Sequence, residues 1–200
     1  MREPGKPVAY IEMEDFLALE HASRFKHEYL DGVIYAVQGR ALQVMAGGSA
    51  AHADLIRNMG FALHTRLKGS PCSVKMTEMR LRVDAASAVF YPDVLVHCQP
   101  TPDPAATLEL TDARLVVEVL SPSTERFDRG DKLAAYQQLP GLQHIVMLSS
   151  TEEVAWSCHR VPAQAAWSPL APWPRGEALA LQSLGFSVDW DEVYGGVGLG

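Results

Sequence analysis

Residues Leu115 to Leu120 (LVVEVL) constrain the fold more than any other stretch of the chain. The run reads as a buried strand. SPSTERF then turns the chain into a helical segment, Asp128 to Leu139, closed by Pro140-Gly141. A buried strand leading through a short connection into a helix calls for a sheet with helices laid on it. Glu118 stands in the middle of the apolar run. An ionised carboxylate there is costly unless it is paired, hydrogen-bonded or bound to a metal.

The flanking segments support a mixed α/β architecture. Ile11 to Glu20 has the apolar spacing of a short amphipathic helix, and Lys26 to Gln38 reads as a hairpin around Asp31-Gly32. Ser49 to Lys68 is expected to be a helix with Ser49 as N-cap. Cys72 to Val83 alternates like a strand with one wet face. Ala88 to His97 reads as a strand interrupted by Pro92-Asp93, which puts Asp93 at a bulge or sheet edge. After a proline-rich loop (Gln99 to Thr107), His144 to Ser149 and Glu153 to Arg160 are further strands. Pro162 to Gly176 is expected as a poorly ordered excursion or packed surface loop. Leu181 to Tyr194 should give a final strand and short helix, and the closing GGVGLG should be loose. The expectation is one α/β domain over residues 1–200, its core at about 10–160, with a central mixed sheet flanked by helices. No regular βαβ alternation supports a doubly wound sheet.

Composition narrows the function. With 200 residues, 48% hydrophobic and 20% charged, the chain can bury a sizeable core. No apolar run approaches the roughly 20 residues that span a bilayer. The N-terminal stretch lacks a signal-peptide core, so a cytoplasmic location and no membrane partner are the default. Cys72, Cys98 and Cys158 are expected to be reduced. A zinc site is the weak alternative, because His97-Cys98 and Cys158-His159 are adjacent pairs whose side chains point to opposite strand faces. The net charge of −7 argues against tight nonspecific nucleic-acid binding, but leaves room for a local basic groove or a metal-bridged phosphate. Trp156, Trp167 and Trp173 could form a dimer surface or fill a core edge.

Two acids interrupt strand-like runs: Asp93 in YPDVLV and Glu118 in VVEVLS. On adjacent strands they would put four oxygens near one point, an arrangement that suits Mg²⁺ or Mn²⁺. Alternatively each pairs with an arginine or sits at the wet end of its strand. Asp128, Lys132 and Tyr136 fall on one helical stripe, which the short connection would fold back toward Glu118. A lysine aimed at two carboxylates could orient a water or offset phosphate charge. A solvated salt-bridge ladder is the alternative.

The PDV, LVVEVLSPST and D-x-x-x-K-x-x-x-Y sequences resemble the Uma2 family of bacterial endonucleases, within the PD-(D/E)xK restriction-endonuclease-like superfamily. HEYLDGVIYAV and His52, opening the next helix, extend the resemblance, which runs from the N-terminal helix to about His159. It implies a restriction-endonuclease-like fold and metal-dependent hydrolysis of phosphodiester bonds with Mg²⁺ or Mn²⁺. By that resemblance Asp93 is the PD aspartate and Glu118 the (D/E), with the Val119 carbonyl a further ligand. The motif lysine is absent, since Leu120 occupies its position, and Lys132 is implied as its substitute. Glu28 would be an upstream acid, or else pair with Lys26 or Arg24. His52 would support the site, or else be a satisfied core histidine. Ser121, Ser123 and Thr124 would cap the next helix or donate to a phosphate. Arg126, Arg129, Arg80 and Arg82 are candidate phosphate contacts. There is no G-x-S-x-G elbow, and Gly47-Gly48 is too little for a phosphate loop. The implied partner is nucleic acid, DNA in the first instance, with a homodimer as the expected assembly. A catalytically silent nuclease fold used for binding or assembly is the alternative, favoured by the acidic charge and Leu120.

Overall fold

A computed structural model of the chain describes residues 10–36, 49–101, 103–161 and 166–199. The expectations for the extreme N-terminus, for the end of the hairpin beyond residue 36 and for Gly47-Gly48 lie outside them.

Helix α1 (Met13–Ala22) packs on a hairpin of β1 (His27–Leu30) and β2 (Val33–Ala36), and helix α2 (Ala50–Leu67) follows. Ser49 caps α2, its hydroxyl accepting from the His52 amide at 3.1 Å. Next come β3 (Ser73–Met76), β4 (Arg80–Val83), β5 (Ala88–Phe90), β6 (Val94–His97), β7 (Glu109–Leu110) and β8 (Leu115–Leu120). Strand β9 (His144–Ser149) runs parallel to β8. Parallel neighbours need a crossover, and helix 125–136 provides it, so that helix is obliged to lie back across β8. Strands β10 (Ala155–Val161), β11 (Ala166–Trp167), β12 (Ala171–Trp173), β13 (Ala178–Leu181) and β14 (Phe186–Asp189) and a short helix, Trp190–Tyr194, complete the chain.

The central mixed sheet has the order β11-β10-β9-β8-β6-β3, with β12 also paired to β10; a second sheet has the order β2-β1-β5-β4-β7. The two-residue period of the strands sorts their side chains into two cores. Val94, Val96, Val117, Val119, Val146 and Leu148 face Leu55, Met59, Leu63 and Leu67 of α2. Leu95, Val116, Leu120, Ile145 and Met147 face the other way, against Ala135 and Tyr136 of the crossover helix, Leu139 just after it, and Leu81 and Phe90 of the second sheet. Glu118 shares the face of Val116 and Leu120, so it points into this second core.

Several expectations require correction. The strand expected over Cys72 to Val83 is two strands in different sheets, broken at Thr77–Met79. The strand expected over Ala88 to His97 is likewise divided between the sheets at Tyr91–Asp93. Pro92 cannot donate to a ladder, and Thr77 adopts a left-handed φ of 55°. The two crossings lie side by side, the Thr77 amide donating to the Asp93 carbonyl at 3.1 Å. Cys72 and Cys98 are not reduced. Next to the Ser73–His97 pair they face each other across β3 and β6, and a disulfide joins them. Cys158 is free and buried. The Pro162 to Gly176 excursion contains two strands on β10, and the tail is a hairpin plus a helix rather than one strand. Trp173, Leu181, Val188, Trp190, Val193 and Val197 belong to the main core, so the core does not end near residue 160 and GGVGLG is tethered through Val197. Of the tryptophans, Trp173 is buried in the main core, while Trp167 and Trp156 are half-buried under Arg160 and Arg129.

Candidate active site

The register of β6 and β8 brings the two acids together. Val94 pairs with Val117, so the next antiparallel step sets Asp93 opposite Glu118 on the same face, where side chains are neighbours. At that point β6 stops acting as a ladder. The Val119 amide donates to Asp93 Oδ2 at 2.8 Å, so the aspartate side chain replaces a missing backbone acceptor. Glu118, 3% exposed, accepts from the Tyr136 hydroxyl at 2.6 Å through Oε1.

Lys132 reaches the same point from the crossover helix. Its Nζ lies 2.9 Å from Glu28 Oε1, 3.0 Å from Glu118 Oε1 and 3.6 Å from Asp128 Oδ1. The helix is not the regular one expected over Asp128 to Leu139. It begins at Glu125, and Asp128–Lys132 forms a π turn between Glu125–Phe127 and Leu133–Tyr136. The i→i+5 widening brings residues four apart more nearly into line, and such turns recur at functional sites. Asp128, Lys132 and Tyr136 are all buried, so they are not a solvated ladder.

Glu28 links the second sheet to this cluster. Besides Lys132, its Oε1 accepts the Tyr91 amide at 3.1 Å, fixing the Tyr91-Pro92-Asp93 crossing. It does not pair with Lys26, which is bound to Glu78 and the Thr77 carbonyl. His52, at the start of α2, places Nε2 3.7 Å from Asp93 Oδ2. Ser121 and Ser123 hydroxyls bond each other at 3.0 Å rather than capping the helix, and the Thr124 hydroxyl serves Asp128. The arginines named as candidate phosphate contacts are spread over other partners. Arg129 pairs with Glu125 and stacks on Trp156, Arg82 is held by Asp84 and Glu109, Arg80 lies beside Tyr91, and Arg126 is exposed.

Electrostatics follow from four carboxylates around one ammonium. Burial raises the Glu118 carboxyl well above its ordinary range; Lys132 opposes the shift, while Asp93, Asp128 and Glu28 reinforce it. Asp93 is raised, first by burial, against the pull of His52, the Val119 amide and Lys132. Asp128 is raised by burial too. Burial alone would lower Lys132, but Glu118, Glu28 and Asp128 outweigh it and hold the ammonium well above its usual range. Burial, then Glu118, keeps Tyr136 a phenol. Burial thus disfavours the charge on Glu118, Asp93 and Asp128, and further positive charge beside them would favour it.

Among the described residues, no group of three or more His, Cys, Asp and Glu side chains is preformed to hold a metal ion. Lys132 lies between Glu28 and Glu118 instead. Even so, the donors are hard oxygens of the kind Mg²⁺ and Mn²⁺ take, and the local excess of negative charge fits a divalent cation at Asp93 and Glu118.

Sequence reasoning missed a supporting network. Glu20 of α1 is buried and accepts from the His27 amide (2.9 Å) and the Tyr91 hydroxyl (2.8 Å), while its other oxygen meets His27 Nδ1 at 2.9 Å. The signal was available: Glu20 follows Phe16 by four residues on the buried face, a misfit acid of the same kind as Glu118.

A family model described as "Putative restriction endonuclease" matches residues 13–191. The chain belongs to the Uma2 family. An "Uncharacterized protein" of Synechocystis sp. is 34% identical over 194 residues, covering 97% of this chain and 96% of the relative. A second Synechocystis protein is 28% identical over 148 residues, 74% of this chain and 76% of its own length. The crystal structure of a "putative nuclease" from Anabaena variabilis superposes with a TM-score of 0.70 at 14% identity, covering 94% of this chain and 99% of that one. The Uma2 chain thus shares the fold of that protein, restriction-endonuclease-like with a mixed sheet between helical layers. Among the described residues, no helix is long and apolar enough to cross a membrane.

Proposed function

We propose that this Uma2 protein is a metal-dependent endonuclease that hydrolyses phosphodiester bonds in nucleic acid, DNA in the first instance. One observation carries the reading: Lys132 Nζ lies 3.0 Å from Glu118 Oε1, on the sheet face where Asp93 stands opposite Glu118. Leu120, at the usual lysine position, is sealed in the second core, and the helix supplies the missing cation. Asp93 and Glu118 would hold Mg²⁺ or Mn²⁺, which would supply Lewis acidity at the scissile phosphate and an acidified water. Lys132 orients the attacking water and offsets phosphate charge. Tyr136 and Asp128 fix Glu118 and Lys132, Glu28 fixes the Asp93 crossing, and His52 borders Asp93 from α2. The test is cleavage of labelled nucleic acids with Mg²⁺ or Mn²⁺, with Glu118→Ala and Asp93→Ala proteins run alongside. Cleavage that persists in EDTA and in both variants overturns the mechanism.

A second reading, a nuclease fold retained for binding without catalysis, is favoured by the position of Lys132. Its ammonium already bridges Glu28 and Glu118. Thermal shift separates the two, because a metal site gains stability with millimolar Mn²⁺ and a closed salt-bridge cluster does not.

A further inference from the structure

Beside the acids an apolar groove of about 590 Å³ runs between α2 and the edge strand β3, lined by Ala53, Ile56, Gly60, Phe61, Val74 and Met76. Its upper end touches the proposed site at two points. Ala53 follows His52, whose ring meets Asp93, and Thr77 of the groove wall donates its amide to the Asp93 carbonyl. Phe61 is 70% exposed and Met76 47% exposed, so the groove has an apolar rim open to solvent. Gly60 keeps this part of the groove open: a Cβ there would meet the Met76 thioether, which would have to swing aside. Arg57 and His64 line the groove as well.

The lining, more than the charge, selects the occupant, since a single strand is a polyanion too. A duplex is gripped through rows of cations on its phosphates, yet the chain carries a net −7. Much of its positive charge is committed to carboxylates: Lys26 to Glu78, Arg66 to Glu192, Arg82 to Glu109 and Arg129 to Glu125. An exposed aromatic over an apolar trough instead suits unstacked bases, which every single strand offers. Arg57, at the rim, pairs with Asp54 and donates to the Asn58 side chain at 3.2 Å, surface contacts weak enough for a phosphate to compete with.

We infer that the α2–β3 groove binds the unstacked bases of a single-stranded nucleic acid, Phe61 stacking on a base and leading the strand to Asp93 and Glu118. The inference rests on the nuclease reading for what happens at the acids, but binding in the groove is measured without them. Fluorescence anisotropy in EDTA would compare 12-nucleotide oligo-dT and oligo-rU strands with a 12-base-pair DNA duplex. The expected result is single-strand binding at least 10-fold tighter than duplex binding, in whichever of the two strand chemistries binds better. Phe61→Ala should weaken it on the order of 5- to 100-fold, while Phe61→Trp retains it. Because Phe61 is exposed, both variants should fold, and circular dichroism checks this. Equal or tighter duplex binding, no binding of either single strand, or a Phe61→Ala change below twofold overturns the inference. So does a dimer in sedimentation that Phe61→Ala dissociates without loss of oligonucleotide binding. The two readings fail separately: metal-dependent cleavage with no Phe61 effect removes the groove alone, and Phe61-dependent binding without cleavage removes the nuclease alone.

Discussion

Replacing Lys132 with Met tests the organisation of the acidic cluster. The ammonium lies 2.9 Å from Glu28, 3.0 Å from Glu118 and 3.6 Å from Asp128, and it is 4% exposed. Met fills much of the same volume but leaves these carboxylates without their shared cation. Removing one partner of a buried pair costs roughly 3–5 kcal/mol. In a chain of this size that lowers the Tm by about 6–20 °C, which differential scanning calorimetry resolves. The acids can relieve the charge by taking up protons, and burial already raises Glu118 and Asp128. The deficit should therefore be largest near pH 8 and shrink toward pH 5. Millimolar Mn²⁺ should restore part of the lost stability by placing a second cation among the same oxygens. A loss below about 1 kcal/mol at pH 8 would refute the argument, because the ammonium would then not be what neutralises the cluster.

Three further outcomes follow from other parts of the molecule. Thr77 is β-branched with a φ of 55°, so Thr77→Gly should relieve about 1 kcal/mol of strain and raise the Tm by a few degrees in a thermal melt. Burial, aided by His159 and Arg114, holds His144 neutral down to about pH 4, against 6.5 in the unfolded chain; between those values the unfolded state takes up the extra proton, so stability falls as pH falls. The loss should reach on the order of 2 kcal/mol after discounting for solvent screening, and His144→Asn should flatten the urea-midpoint profile over that range. The Cys72–Cys98 bridge closes a loop of 26 residues in sequence separation, so dithiothreitol, or Cys72→Ser with Cys98→Ser, should remove about 3 kcal/mol and lower the Tm by about 6–12 °C.

Much of the site could be read from the sequence because its parts are local misfits. Glu118 in LVVEVL and Asp93 after Pro92 stand out one residue at a time, and helical spacing aligns Asp128, Lys132 and Tyr136. The hairpin turn was equally explicit, since Asp31 and Gly32 both take the left-handed φ values that a two-residue turn demands. What could not be read depends on partners distant in sequence. Nothing in Cys72 to Val83 says that its halves join different sheets, because alternation sets which face is buried and not which neighbour pairs. The π turn leaves no periodic trace in five residues. The Cys72–Cys98 bridge requires the register of β3 against β6, and the part played by residues 173–197 in the main core requires knowing where α2 leaves a gap. The sequence also does not show the partners of its arginines, since a cation looks the same whether it faces solvent or, like Arg82, meets an acid of its own chain.

The central claim is that Asp93 and Glu118, opposed across two strands with Lys132 between helix and sheet, form a metal-dependent hydrolytic site. The most direct measurement is the rate of cleavage of labelled single- and double-stranded DNA with Mg²⁺ or Mn²⁺, for the native protein and for folded Asp93→Ala and Glu118→Ala variants. Cleavage by the native protein that EDTA abolishes and each variant lowers by at least 100-fold is the predicted result. Cleavage of equal rate in all three proteins, or indifferent to EDTA, would contradict the account.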